Sequence, residues 1–323
     1  MKAIRYYRFG PPDVLRLQDV DKPAIGGNEV LVRVRAASLN PLDLYYLHGL
    51  PYIARVQVGL ARPKAHGLGL DMAGTVEAVG SSATGFQPGD EVFGGGSQTL
   101  AEYVSVGAEA AVLGKPVGLT FEQAAAVPVS AFTALQALRD KARVRPGHKV
   151  LVNGAAGGVG PFAVQIAKAF GAEVTGVCST RNTDMVASLG ADHVIDYTRQ
   201  DFTRTGRRYD VLVDIAGSRK LSECRRVLAP SGVLVGVGAP SKGRWIGPMR
   251  RPVKMLVAAP VVRQKMTFFM AEPRRDDLAV LRELLETGQV TPVIDRTYPL
   301  SEVPAAIRYL ETGHARGKVV ITI

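Results

Sequence analysis

Lys149-Val150-Leu151-Val152-Asn153 runs into Gly154 and then Ala155-Ala156-Gly157-Gly158-Val159-Gly160, and this stretch decides the fold. The opening residues form a short apolar run, the pattern of a strand buried on both faces. A glycine-rich turn follows, then a helical pattern from about Val159 to Phe170 and a second strand from Glu173 to Cys178. Strand, turn, helix and strand within about thirty residues make one βαβ unit. Such a turn lets backbone N–H groups approach a pyrophosphate at the positive end of the helix. It departs from G-x-G-x-x-G in having Ala155 first, which adds a methyl group at the tight turn. Ala155, Gly157, Gly158, Val159 and Gly160 are its candidate cofactor-binding residues.

Downstream, the alternation continues through Met185 to Leu189, His193 to Ile195, Tyr209 to Ile215, Leu221 to Leu228 and Gly232 to Val237. The strands among these are short apolar runs, which suit a parallel sheet covered on both faces. Upstream, Thr120-Phe121-Glu122-Gln123 offers an N-cap hydroxyl with a carboxylate or amide close behind, opening an Ala-rich helical stretch to about Arg139. The first third of the chain has another rhythm. Met1 to Phe9 alternates as a strand does, and Glu29 to Ala37 sets Val30, Val32 and Val34 against Arg33 and Arg35. Gly74 to Val79 and Glu91 to Phe93 read as further strands, punctuated by turns such as Pro88-Gly89-Asp90. After Val237 come a basic stretch, Thr267 to Phe269, helices near Arg275 to Thr287 and Val303 to Gly313, and a terminal strand from Lys318 to Ile323. The expected fold is α/β. A doubly wound parallel sheet over residues 121–262 is inserted into a mostly β domain formed from residues 1–120 and 263–323.

The chain has 323 residues, 46% hydrophobic and 21% charged, a composition that excludes disorder and collagen-like structure. Two cysteines, Cys178 and Cys224, are too few for a disulfide framework or a four-cysteine zinc site, which points to a reducing, cytoplasmic setting. No signal peptide or membrane span is written in the first residues. The formal charge of +11 favours anionic ligands such as phosphorylated cofactors, or acidic membrane surfaces.

An acidic residue about twenty positions after the glycines would bind the adenosine ribose of NAD and repel a 2′-phosphate. The second strand ends instead in Cys178-Ser179-Thr180-Arg181-Asn182, whose hydroxyls and guanidinium suit a phosphate. Ser179 and Arg181 therefore favour NADPH. The alternative is that Ser179 caps the next helix and Arg181 is a solvated charge.

Taken together, several stretches resemble the medium-chain dehydrogenase/reductase superfamily over almost the entire chain, within it the zinc-independent quinone oxidoreductase-like branch. They are Ser38-Leu39-Asn40-Pro41-Leu42-Asp43, Gly69-Leu70-Asp71-Met72-Ala73-Gly74-Thr75-Val76, Gly85 to Val92, Ala155 to Gly160, Leu189 to Tyr197, and Gly317-Lys318-Val319-Val320. The resemblance implies a Rossmann-type domain, a GroES-like catalytic domain, a dimer, and hydride transfer from NADPH to a quinone or α,β-unsaturated carbonyl. Zinc-dependent relatives would need cysteine, histidine and cysteine where Asn40, Leu70 and Val129 stand, so no metal is expected. Asn40 and Tyr45 are the catalytic candidates the resemblance implies, a carbonyl-orienting amide and a proton donor; a turn and simple packing are the competing readings. By the same resemblance Tyr197 lies near the adenosine phosphate and Lys318 reaches the cofactor, unless it is an ordinary strand-edge lysine. The stretch from Lys242 to Lys265 holds seven Lys and Arg and no acid. A lid over the substrate, a patch for an anionic membrane, and a solvated surface all fit it. No nucleic-acid-binding module accompanies it. Two other functional classes stay open, a metal-free NADP-dependent carbonyl or alcohol oxidoreductase and a noncatalytic NADPH sensor.

Overall fold

A computed structural model describes residues 1–52, 55–237, 255 and 263–323. The chain forms two compact units, one of residues 1–132, 273–288 and 292–323, the other of residues 133–272 and 289–291.

In the first unit β1 (Lys2–Arg5) pairs antiparallel with β2 (Arg16–Asp19). β3 (Glu29–Leu39), β4 (Asp71–Val79), β5 (Glu91–Gly95), β6 (Tyr103–Gly107) and β7 (Val112–Gly114) then begin a larger sheet. The Val30, Val32 and Val34 side chains of β3 are buried with Met72, Val76, Val92, Val104 and Val106, while Arg33 and Arg35 are exposed, as the alternation requires. The strand continues beyond Ala37 because Ala36, Ala37, Ser38 and Leu39 are all buried, so alternation ceases where both faces are covered.

The second unit holds β8 (Lys149–Asn153), β9 (Glu173–Cys178), β10 (His193–Asp196), β11 (Tyr209–Asp214), β12 (Leu228–Gly236) and β13 (Lys265–Phe268). All pair in parallel, in the order β10-β9-β8-β11-β12-β13. This is the 3-2-1-4-5-6 order of the doubly wound dinucleotide fold, in which the strand order reverses between the first and fourth strands and ligands bind outside their carboxyl ends. The first unit's sheet is completed by β14 (Ile294–Pro299) and β15 (Lys318–Thr322), in the order β14-β15-β3-β4-β5-β7 with β6 on β3. The α/β fold expected from the sequence is the fold observed.

Three sequence expectations shift. The helix expected from Thr120 to Arg139 is broken into Phe121–Ala125 and Pro128–Gln136, followed by a wider π turn over Ala137–Lys141, because Pro128 has no N–H to continue the first helix. The capping pair is present: Thr120 Oγ1 accepts from Gln123 N at 3.2 Å, and Gln123 Oε1 accepts from Thr120 N at 3.0 Å. That first helix packs on β3, β4, β5 and β15, so the division between units falls after Phe132 rather than at residue 120, and after Glu272 rather than 262. Finally, β15 is not a sheet edge, since β14 and β3 flank it. Of the basic stretch from Lys242 to Lys265, only Met255 and residues 263–265 are described; the lid and membrane-patch readings lie otherwise outside the described residues.

Candidate active site

The turn after β8 lies at the carboxyl ends of the central strands. Its left-handed residue is Gly154 (φ 98°), one position before the motif read from the sequence, so Ala155 carries no strain there. Ala155 is fully buried, and its amide donates to the Val177 carbonyl at 3.0 Å, so it shapes the turn rather than offering an N–H to a ligand. The Gly157 amide is turned to the Gly154 carbonyl at 3.3 Å. Gly160 begins the helix Gly160–Ala169, and a Cβ there would lie 2.3 Å from the Gly154 carbonyl oxygen. Only glycine permits that approach of helix to strand. Val159 precedes the helix without a side-chain cap; the Ala163 amide is bonded to the Val159 carbonyl at 3.0 Å, which leaves the Gly160 and Phe162 amides of the first turn as the donors an anion would use. A cofactor pyrophosphate fits this start.

Next to the turn, Asn153 Nδ2 donates to Asp214 Oδ1 at 2.7 Å, and the same carboxylate oxygen accepts from Gly217 N at 3.1 Å. This buried pair ties the carboxyl ends of β8 and β11 together where the strand order reverses. Sequence reading missed it, although an acid closing an apolar strand run was visible at Asp214.

Beyond β9, Ser179 precedes a single 3-10 turn, Thr180–Asn182, and its Oγ accepts from Asn182 Nδ2 at 3.2 Å. Arg181 and Tyr197 are exposed, and Tyr197 N donates to the Cys178 carbonyl at 3.0 Å, which brings the end of β10 beside that of β9. The corner does hold a carboxylate, from β10 rather than β9. Asp196 accepts from Thr180 Oγ1 at 2.5 Å, and from the Thr198 amide and hydroxyl at 2.9 and 2.7 Å. The Thr180 hydroxyl and then the Thr198 donors hold its pKa below the usual carboxylate range, and Arg199 stands 3.5 Å away. The expectation of a corner free of acid is corrected on this point, with the charge of Asp196 spent on its own neighbours.

The first unit contains a buried polar cluster that the sheet register assembles. Ser38 on β3 faces Asp71 on β4, and Val319 of β15 faces Leu39, which sets Lys318 beside Asn40. Asp71 Oδ2 accepts from Ser38 Oγ at 2.8 Å, Asn40 Nδ2 at 2.8 Å and Lys318 Nζ at 3.2 Å, while Oδ1 accepts from Val129 N at 2.9 Å. Lys318 Nζ also donates to Asn40 Oδ1 at 2.6 Å. Lys318 and Asp71 are 2% and 0% exposed, so this is a fully desolvated ion pair rather than a strand-edge lysine. Asn40 stands before the helix Pro41–His48, but its amide is clamped between Lys318 and Asp71 instead of closing a turn.

Asp43 is buried one layer away. It accepts from Asn40 N at 2.8 Å and Gly69 N at 2.9 Å. Burial pushes its carboxyl up to about 6, the two amide donors opposing it. Tyr45 on the same helix is half-buried, and desolvation raises its phenol pKa. Asp43, Asp71 and Ser38 were not singled out as site residues from the sequence. A charged residue inside an otherwise apolar strand run, as at Asp71-Met72-Ala73, was the available signal, since a buried acid must find partners.

The donor set does not fit zinc. At the three positions where zinc-dependent relatives would place ligands stand an amide already bonded on both sides, a leucine and a valine, with an ammonium 2.6 Å from the amide oxygen.

The strand order and the glycine turn at the order reversal define a dinucleotide-binding protein. Two family descriptions match the chain, "Alcohol dehydrogenase GroES-like domain" over residues 26–137 and "Zinc-binding dehydrogenase" over residues 189–321. The chain is 35% identical to the mouse mitochondrial NAD(P)H oxidoreductase RTN4IP1, over 98% of this chain and 87% of that protein. It is 36% identical to the 2-methylene-furan-3-one reductase of Solanum lycopersicum, over 99% of this chain and 79% of that one. The structure of the quinone oxidoreductase from Coxiella burnetii matches with a TM-score of 0.85 at 32% identity, covering 100% of this chain and 99% of that one. The chain belongs to the medium-chain dehydrogenase/reductase superfamily, in its quinone oxidoreductase-like branch, and is an NAD(P)-dependent oxidoreductase.

Proposed function

We propose that this enzyme uses NADPH, without a metal, to reduce a quinone or an α,β-unsaturated carbonyl. The observation that carries the reading is the buried Lys318–Asn40–Asp71 cluster, in which a clamped amide stands at one position where zinc-dependent relatives need a metal ligand, with an ammonium 2.6 Å from its oxygen. The two units divide the work. In one, the amides at the start of helix Gly160–Ala169 hold a pyrophosphate. Ser179 and Arg181 hold the 2′-phosphate, favoured because the Asp196 charge is already satisfied by Thr180 and Thr198.

In the other unit, Asp71 and Lys318 fix the plane of the Asn40 amide. An NH2 group has two N–H donors; Asp71 takes one, and the second orients a substrate oxygen. Tyr45 is a phenol, protonated at neutral pH, and gives the one proton needed beside the hydride; burial raises its pKa, so the proton leaves only to the strongly basic oxyanion that hydride addition creates. Bound NADPH supplies the hydride from nicotinamide C4; the protein contributes proximity and orientation. The name of the tomato relative, a 2-methylene-furan-3-one reductase, describes an enone substrate and supports that class. The dimer and a cytoplasmic setting belong to the same reading, and light scattering and cell fractionation test them.

Initial rates with NADPH and NADH, each against a quinone and an enone, test the assignment together with Arg181→Ala. The expected result is an NADPH preference that falls about tenfold in the variant while NADH turnover stays level, the loss of one charge-assisted phosphate contact. Equal loss with both cofactors, or an NADH preference in the unaltered enzyme, contradicts it.

A further inference from the structure

The charge of this protein is unevenly placed. Of its 40 Lys and Arg and 29 Asp and Glu, 22 and 10 fall within the unit bearing the parallel sheet, leaving 18 and 19 for the other. The whole surplus therefore belongs to one unit. The six strands of that unit are parallel, so their amino ends share one edge, opposite the glycine turn.

That edge is concave and basic. A groove of about 250 Å3 is lined by Lys149, Glu173, His193, Arg207, Arg208 and Tyr209. Lys149 begins β8, Glu173 β9, His193 β10 and Tyr209 β11, so the walls are strand starts held in register by the sheet. Glu173, the one acid in the lining, faces His193 at 3.2 Å. Among the described residues none of Lys149, Arg207 and Arg208 forms an ion pair; Arg208 donates to the Leu228 carbonyl at 2.9 Å, which leaves its charge uncompensated. Tyr209 is 3% exposed, and its buried hydroxyl has no hydrogen-bond partner among the described residues. A buried donor without an acceptor is costly. The Tyr209 ring packs into the core with Leu151, Ile195 and Phe202, so the charge of the groove comes from Lys149, Arg207 and Arg208, and three cations without a carboxylate partner at one groove describe an anion site.

We propose that this groove binds compounds carrying two or more adjacent phosphate groups, at a site separate from the glycine turn. Three positive charges outnumber the two nearby carboxylates, Glu173 beside His193 and Asp210, which accepts from the Lys149 amide at 2.9 Å, and so match a multiply charged anion better than a single carboxylate ligand. The adjacent phosphates belong either to a free polyphosphate-type metabolite or to a polyphosphorylated lipid headgroup. The grooved shape accepts both, and the chemistry recognised is the same.

Titration calorimetry with inorganic tripolyphosphate tests it, on the full chain with NADPH already saturating; a separate NADPH titration establishes that the glycine turn is filled. The expected result is one tripolyphosphate site that survives NADPH and weakens on adding salt. Lys149→Ala/Arg207→Ala lowers its affinity at least about tenfold, both side chains being exposed and dispensable for folding. Sedimentation with phosphatidylcholine vesicles carrying phosphatidylinositol bisphosphate, lost in the same double variant, assigns the phosphates to a lipid; tripolyphosphate binding without vesicle binding assigns them to a free anion. Heat that vanishes when NADPH is present, or a double variant that binds as tightly as the unaltered protein, overturns the proposal.

Discussion

Replacing Lys318 by methionine keeps the side-chain length and removes the charge, which isolates the electrostatic role of the buried cluster. Asp71 is 0% exposed and loses the one cation it pairs with among the described residues, while retaining donors from Ser38, Asn40 and Val129 at 2.8, 2.8 and 2.9 Å. Breaking a buried pair from one side costs about 3–5 kcal/mol. The three remaining donors hold the carboxylate, which keeps the loss near the lower end. Asn40 Oδ1 also loses the donor now 2.6 Å away, worth about 1–3 kcal/mol where no water replaces it. A total of about 4 kcal/mol is expected for Lys318→Met. Asp71→Asn strands the ammonium instead and is expected to cost a similar amount. The double variant contains neither charge, so its cost falls short of the sum by about 2–3 kcal/mol. Urea unfolding of all four proteins at one pH supplies the cycle. Strict additivity, or a single-variant loss below about 1 kcal/mol, refutes the description of Lys318 and Asp71 as a desolvated pair.

Other consequences follow from neighbouring residues. The folded pKa of Asp43 is raised from 3.8 to about 6, so its contribution to stability is full below 3.8 and is lost as pH rises through about 6. That amounts to about 3 kcal/mol; Asp43→Asn removes this slope, and urea midpoints across the window check it, an unchanged slope counting against the assignment. At Gly160 an added Cβ meets the Gly154 carbonyl oxygen at 2.3 Å, so Gly160→Ala must displace the helix start. It is expected to weaken cofactor binding at least about tenfold, beyond the roughly 1–3 kcal/mol typical of an overpacked site, as read by cofactor fluorescence titration; unaltered affinity would show that the helix start does not hold the cofactor.

The parallel sheet was legible because its signals are local. Lys149–Asn153 and Glu173–Cys178 have the observed bounds, set by apolar runs closed by glycine turns or polar residues. β14 was not recognised, since Ile294-Asp295-Arg296-Thr297-Tyr298-Pro299 has little apolar content and ends in proline. With β14 missing, β15 looked like a sheet edge and Lys318 like a surface lysine. The same limit hid Asp71, whose partners Ser38, Val129 and Lys318 lie far away in sequence and meet only through strand register. Asp196 escaped for a related reason: the acid at the adenosine corner comes from β10, not from the β9 end where sequence spacing directs attention. Asn40 was found through the family resemblance alone, while its place before Pro41 suggested only a turn, and its clamp depends on long-range contacts that no local pattern encodes.

The most direct test of metal-free, NADPH-driven reduction is the oxidation of NADPH and NADH with 9,10-phenanthrenequinone, on enzyme stripped with a chelator and assayed with and without added zinc. The account predicts full turnover in the stripped enzyme, a preference for NADPH, and no gain from zinc. Turnover that collapses on chelation and returns with zinc would contradict it.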